Sequence, residues 1–116
     1  MSERVRAAAG TSQPGAGPPV EKVVLYTIRE GVSEAEVAAL HERARVLLGA
    51  IPGVERIAIG LAVDPAASYR YCALLRFRDP GVIAVYNTHP NHEAFLQQEW
   101  RPKVAAVLPI EYALVL

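Results

Sequence analysis

The run GVSEAEVAALHERARVLLGAIPG, residues 31–53, holds a whole amphipathic helix together with the signals that start and stop it. Ser33 followed three residues later by Glu36 is a capping box: the hydroxyl accepts from an early amide and the carboxylate reaches back to the cap. Val32 and Val37 flank it as a hydrophobic staple. Val37, Leu40, Ala44, Leu47, Leu48 and Ile51 recur at three- and four-residue spacing, which gives the helix one buried stripe. Pro52-Gly53 ends it, since proline cannot continue the hydrogen-bond ladder and glycine accepts a left-handed cap.

The apolar period outside this helix is mostly two. Lys22 to Arg29 reads as a strand with Val23, Val24, Leu25, Tyr26 and Ile28 placing apolar groups on both faces. From Glu55 to Val63, Ile57, Ile59, Leu61 and Val63 alternate with Ala58, Gly60 and Ala62. Asp64-Pro65-Ala66-Ala67-Ser68 is a turn. Tyr69 to Arg78 is a further strand, with Tyr69, Tyr71, Ala73, Leu75 and Phe77 on one side. Asp79-Pro80 supplies a cap and a first-turn proline for a short helix through Val82, Ile83 and Tyr86. The residue before a proline avoids the α region, so His89 breaks the chain between two helices. The second carries His92, Phe95, Leu96 and Trp100, is kinked or restarted at Pro102, and continues its apolar stripe through Val104, Val107 and Leu108. Pro109 then ends the helix, and Ile110, Tyr112 and Leu114 form the last strand.

The order β-α-β-β-α-β is the split βαβ pattern of an α+β, ferredoxin-like fold: an antiparallel-rich four-stranded sheet with helices on one face. The uncovered face of such a sheet should be polar. Here several strands are apolar on both sides, so a second sheet is expected against it, most simply that of an identical subunit. The expectation is a homodimer whose sheets close a dimeric α+β barrel.

At 116 residues the chain is sized for one domain. Residues 1–19 are rich in Gly, Pro and Ser and are expected to be a disordered leader, with the domain spanning 20–116. Twelve basic and twelve acidic residues balance to zero net charge, with no Lys/Arg cluster, which argues against nucleic acid as a partner. No stretch is apolar enough to cross a bilayer, so no membrane is expected either. The single cysteine, Cys72, rules out an internal disulfide and suits a reducing, cytoplasmic setting.

The chemistry-bearing residues gather in Val85-Tyr86-Asn87-Thr88-His89-Pro90-Asn91-His92-Glu93-Ala94-Phe95, which holds two of the three histidines. Imidazole titrates near neutral pH and a phenol donates to an oxyanion, so Tyr86 and His92 suit general acid/base work. The same residues also suit a plain structural part: Tyr86 packed in the core, His89 and His92 capping a helix junction. His89 and His92 stand three apart, but Pro90 distorts a metal-ligand spacing and no third ligand converges, so no metal is expected. No glycine loop cradles a phosphate. His41 sits beside the apolar stripe as a solvated edge residue, Cys72 is a small core or interface residue, and Phe95 and Trp100 read as core. Tyr26, Tyr69 and Tyr71 are strand tyrosines able to line a pocket.

From about Val20 to the end, the chain resembles the stress-responsive A/B barrel (Dabb) family. The features are Val23-Val24-Leu25-Tyr26 followed by Gly31-Val32-Ser33-Glu34, the Ile51-Pro52-Gly53-Val54 junction, and Tyr86-x-x-His89-Pro90-x-His92-x-x-Phe95. The resemblance extends to plant polyketide cyclases of this type, which close a linear polyketide thioester by an intramolecular aldol step. It implies His92 as the general base, Tyr86 as its partner, and His89 as a structural position. Where those cyclases carry further histidines in the first and third strands, this chain has Lys22 and Tyr71, which with Tyr26 become the expected substrate-binding residues. The function expected is thus a cofactor-independent cyclase or isomerase of a small β-keto or phenolic molecule. The alternatives are a cofactor-free monooxygenase, by analogy of fold alone, and a non-catalytic dimeric stress protein.

Overall fold

The computed structural model describes residues 17–115. Most of the expected leader, residues 1–16, lies outside the described residues. Strand β1 (Val20–Ile28) leads into helix α1 (Glu34–Arg43), which widens into a π-helical turn over Ala44–Leu48. Strands β2 (Val54–Leu61) and β3 (Tyr71–Phe77) form a hairpin. Helices α2 (Val82–Thr88) and α3 (Pro90–Phe95) follow, α3 running on through a second π-helical turn (Leu96–Trp100) and a last turn (Arg101–Lys103) into β4 (Val104–Ala113). The sheet order is β2-β3-β1-β4 with every described pair antiparallel. This is the ferredoxin-like arrangement: each helical crossover skips one strand and lands on the same face.

The local signals act as their chemistry requires. Ser33 Oγ accepts from the Glu36 amide at 3.1 Å while Glu36 Oε1 accepts from the Ser33 amide at 2.8 Å, closing the capping box. Gly53 takes φ +93°, and its carbonyl accepts from the Arg78 amide at 2.9 Å, joining the entry of β2 to the exit of β3. Asp79 is not the cap that the sequence suggested, since the N-cap of the next helix is Gly81, with no side-chain capping bond. Its carboxylate is 1% exposed, accepts from the Gly81 amide at 2.8 Å and from Arg78 Nε at 2.9 Å, and α2 begins only at Val82.

Val20, Val24 and Tyr26 of β1 and Ala73, Leu75 and Phe77 of β3 face the helices, where Leu40, Ala44, Leu48, Val82, Tyr86 and Phe95 meet them. Burying each large side chain of this kind stabilises by about 1.5–3 kcal/mol. The opposite sheet face is also apolar. Val23 pairs with Leu74 and Ile110, and Leu25 with Cys72 and Leu108. Leu108, Ile110 and Tyr112 are 42, 36 and 53% exposed there. Glu21, bonded to Arg76 at 3.1 Å and to Arg56 at 3.5 Å, borders the patch at one end.

Two further expectations are corrected. The first helix ends at its C-cap Gly49, short of the Pro52-Gly53 expected to stop it, and Gly53 instead makes the left-handed turn into β2. Val104, Val107 and Leu108 do not extend the second helix; they open a ten-residue strand that passes straight through Pro109. β4 is an edge strand, so a residue without an amide is tolerated there, and its β-branched residues favour the pleat. The helical segment ends at Lys103, seven residues after Leu96 rather than at the proline.

A methyl built on Gly53 would run into the Val82 side chain, with Cγ1 at 2.8 Å, on top of a left-handed backbone. Gly31, at φ +88°, has nothing within 4 Å of such a methyl. Gly53→Ala should therefore destabilise by roughly 2–4 kcal/mol, combining backbone strain with overpacking. Gly31→Ala should cost only about 1 kcal/mol. Urea unfolding of the two variants measures the difference, and equal losses would contradict the clash.

Candidate active site

Between the helices and the sheet lies a cavity of about 320 Å³. Its walls are mainly aliphatic, from Val24, Leu40, Ala44, Leu48, Ile57 and Leu75. Polar side chains stand at two places along β1, around Lys22 and around Tyr26.

At the Lys22 end the helix junction supplies the chemistry. His89 is extended (φ −72°, ψ 140°), as a residue before proline must be, and its Nδ1 accepts from the Asn91 amide at 3.0 Å. His89 is thereby occupied as the N-cap of α3. Asn91 Nδ2 donates to the Leu47 carbonyl at 2.9 Å, pinning the start of α3 to the π-helical turn after α1. These bonds aim His92, in the first turn of α3, at Tyr86 in α2: the ring centroids lie 4.5 Å apart, tilted by 49°, and both line the cavity. Phe77 supports Tyr86 from the sheet at 5.0 Å. Beneath them Lys22 Nζ donates to Glu111 Oε2 at 2.8 Å across the β1–β4 pair.

The environment separates the protonation states of the pair. Burial holds His92 below its ordinary 6.5, with Lys22 and Arg101 adding to the effect; a bond to the Asn87 backbone and the charge of Glu93 oppose it. Burial, with the charge of Glu111, pushes the Tyr86 phenol well above its ordinary range. At neutral pH the site presents an uncharged imidazole, able to take a proton, beside a phenol that keeps its own. Among the described residues no side chain or backbone group hydrogen-bonds the Tyr86 hydroxyl, although the residue is only 4% exposed. Nor do three metal-ligating side chains converge among the described residues.

At the Tyr26 end, the Tyr26 hydroxyl lies 2.9 Å from His41 Nε2. Tyr71 stacks on Tyr26 at 5.6 Å and 19°, and Trp100 tilts against it at 4.8 Å. Burial keeps His41 below 6.5, with help from Arg45, and burial raises the Tyr26 phenol.

The sequence pattern of the stress responsive A/B barrel domain matches residues 20–114. The chain belongs to this family. No curated protein matches it in sequence. Among solved structures it is similar to a Dabb family protein with a ferredoxin-like fold from Mesorhizobium loti (26% identity, TM-score 0.76, covering 84% of this chain and 98% of that one). A dimeric ferredoxin-like protein of unknown function from Thermobifida fusca aligns at 23% identity and TM-score 0.74 over 84% and 92% of the two chains. The hydroxynitrile lyase of Passiflora edulis shares 14% identity at TM-score 0.76 over 84% and 94%. The last two likenesses are likenesses of fold.

Within this A/B barrel domain the residues expected from sequence fall into two groups. Tyr86, His92 and Lys22 line one end of the cavity; Tyr26 lines the other, with Tyr71 packed on its ring. His41 was expected at a solvated edge and instead lines the cavity with its ring on Tyr26. The signal was present: 41, 44 and 48 form one row at helical spacing, so a histidine there shares the face of Ala44 and Leu48. Trp100, expected as core, and Asn87, which sequence alone did not single out, also line the cavity.

Both half-buried histidines have folded-state values below 6.5, so the unfolded chain binds protons first as pH falls. Their neutral state adds nothing differential above pH 6.5, and stability is lost on acidification from 6.5 through the lowered values. Urea midpoints should therefore fall between pH 7.5 and 5.5, and the fall should be shallower in His41→Gln and His92→Gln. A pH-independent midpoint, or an unchanged slope in both variants, would contradict the burial argument.

Proposed function

We propose that this A/B barrel domain is a cofactor-independent enzyme that enolises, and then cyclises or isomerises, a small β-keto or phenolic molecule. The observation that supports it is the facing of His92 and Tyr86 across one wall of an apolar cavity. A neutral imidazole removes a proton from a carbon between two carbonyls, and the electron pair moves onto the carbonyl oxygen. The protonated phenol donates to that oxygen as it gains charge, and being held in place it needs no reorganisation at the moment of reaction. The enolate carbon can then attack a second carbonyl of the same molecule, whose oxygen takes the proton back from His92. Lys22, held by Glu111, stands near the same pole as a positive charge, and the aliphatic walls fold the chain. Tyr26 meets the remainder of the substrate in this reading, with Tyr71 packed behind its ring.

The same reading has the protein working as a homodimer in the cytoplasm. The exposed row Leu108, Ile110 and Tyr112, continuous with Val23 and Leu25, is an apolar sheet face of the kind that a second copy covers. The dimeric state of the Thermobifida fusca protein supports it, and two such sheets would close a barrel. A reduced Cys72 on that face fits a cytosolic setting.

Deuterium exchange at the central carbon of a β-keto thioester, followed by proton NMR, tests the chemistry without knowledge of the natural substrate. His92→Ala should slow protein-catalysed exchange by about 10²–10⁴-fold. Tyr86→Phe should slow it by about 10²–10³-fold. Exchange rates indifferent to both changes would dispose of the acid/base proposal, and oxygen uptake coupled to substrate loss would replace it with an oxygenase. Sedimentation at micromolar concentration should give a dimer, and Ile110→Asp should shift it to monomer; a wild-type monomer would count against the barrel.

A further inference from the structure

The His92–Tyr86 chemistry asks nothing of the other polar end of the cavity beyond contact with the substrate. Lys22 and Tyr26 face the same side of β1, and four steps along the strand separate them by roughly 13 Å. The wall between them is aliphatic. A purely saturated substrate tail would be served best by more of the same. Instead the far end holds a phenol and an imidazole, which are costly to bury in an apolar wall unless hydrogen-bonded. Their mutual bond at 2.9 Å meets part of that need and leaves capacity over. With Tyr26 donating to Nε2, the phenol oxygen still accepts; with Nε2–H donating to the phenol oxygen, the Tyr26 hydroxyl is free to donate. Either tautomer leaves one hydrogen-bonding position of the pair unfilled, at a Tyr26 side chain that is 1% exposed and lines the cavity. The surroundings are aromatic: Tyr71 lies nearly parallel behind Tyr26, and the indole of Trp100 forms part of the cavity wall 4.8 Å from the Tyr26 ring centre. Rings of this kind favour a flat π-surface over a flexible alkyl chain.

We propose that Tyr26 and His41, walled by Trp100 and backed by Tyr71, form a specificity pocket for the distal end of the substrate, and that this end is a planar ring bearing a hydroxyl oxygen. The substrate class is then a phenol-ended ketone: an enolisable carbonyl at Tyr86 and His92, a short apolar link, and a phenolic ring hydrogen-bonded to the Tyr26–His41 pair. The near end of this assignment rests on the acid/base reading above. The far end does not, because binding alone reports it.

Trp100 is the single tryptophan of the chain, so its fluorescence reports occupancy of this end directly. The full-length protein is titrated with para-hydroxybenzylacetone, with benzylacetone, which lacks only the hydroxyl, and with an alkyl methyl ketone of equal length. The hydroxylated ring should bind roughly five- to tenfold more tightly than benzylacetone, the worth of about one hydrogen bond. Both aromatic probes should bind more tightly than the alkyl ketone. Tyr26→Phe keeps the ring and removes the hydroxyl; it should bring the hydroxyl preference close to one. His41→Leu should reduce it, and thermal unfolding shows that each variant is folded. His92→Ala should keep the preference even if all enolisation is lost, which separates this proposal from the catalytic one. Equal or weaker binding of the hydroxylated probe, a preference that survives in folded Tyr26→Phe, or no binding of either aromatic probe at millimolar concentration would overturn it.

Discussion

The register of β1 between its two neighbours is the constraint from which the site follows. A strand alternates its side chains, so a slip of one residue would exchange its two faces entirely. With Val24 set against Ala73 on one side and Pro109 on the other, Val20, Val24 and Tyr26 point to the helices and Val23 and Leu25 to the opposite face. The same alternation places Lys22 in the cavity beside Glu111 of β4. Core, cavity and apolar outer face are thus three consequences of one pairing. Burial of Tyr26 and Val20 makes a one-residue slip costly, because it would put Glu21 and Thr27 inside.

The helical layer contributes position rather than stability alone. Proline at 90 forbids one continuous helix, and the resulting break lets α2 and α3 present Tyr86 and His92 to each other. Two π-helical turns, Ala44–Leu48 and Leu96–Trp100, flank the same cavity and contribute Ala44, Leu48, Leu96 and Trp100 to its wall. Wide turns of this type occur often at functional sites, where they displace a side chain that a regular helix would aim elsewhere. The Asn91 bond to the Leu47 carbonyl ties the first of them to the junction that carries His92.

Electrostatics gives these positions their chemical meaning. Burial around the cavity favours neutral imidazoles and protonated phenols, one of each at either end. The two pairs differ in what occupies them. His41 and Tyr26 hydrogen-bond one another, whereas no described group hydrogen-bonds the Tyr86 hydroxyl. A pair held by its own hydrogen bond suits recognition, and an unsatisfied donor beside a base suits a reaction in which charge appears.

Sequence by itself determined whatever depends on near neighbours along the chain. The capping box at Ser33 and Glu36, the left-handed turn at Gly53, the pre-proline break at His89 and the alternation of β1, β2 and β3 are all local, and their energies are settled within a few residues. The ferredoxin-like order followed from them, as did the pairing of Tyr86 with His92 through a short stretch of chain. The start of β4 did not, since Val104, Val107 and Leu108 suit either a helix stripe or a pleated edge, and only the open side of β1 makes the strand worth forming. The place of His41 was likewise decided by the tertiary structure. Helical spacing sets which row a residue occupies, but whether that row meets solvent or a cavity depends on where the sheet stands, and Tyr26 reaches His41 only after fifteen residues of chain have folded back.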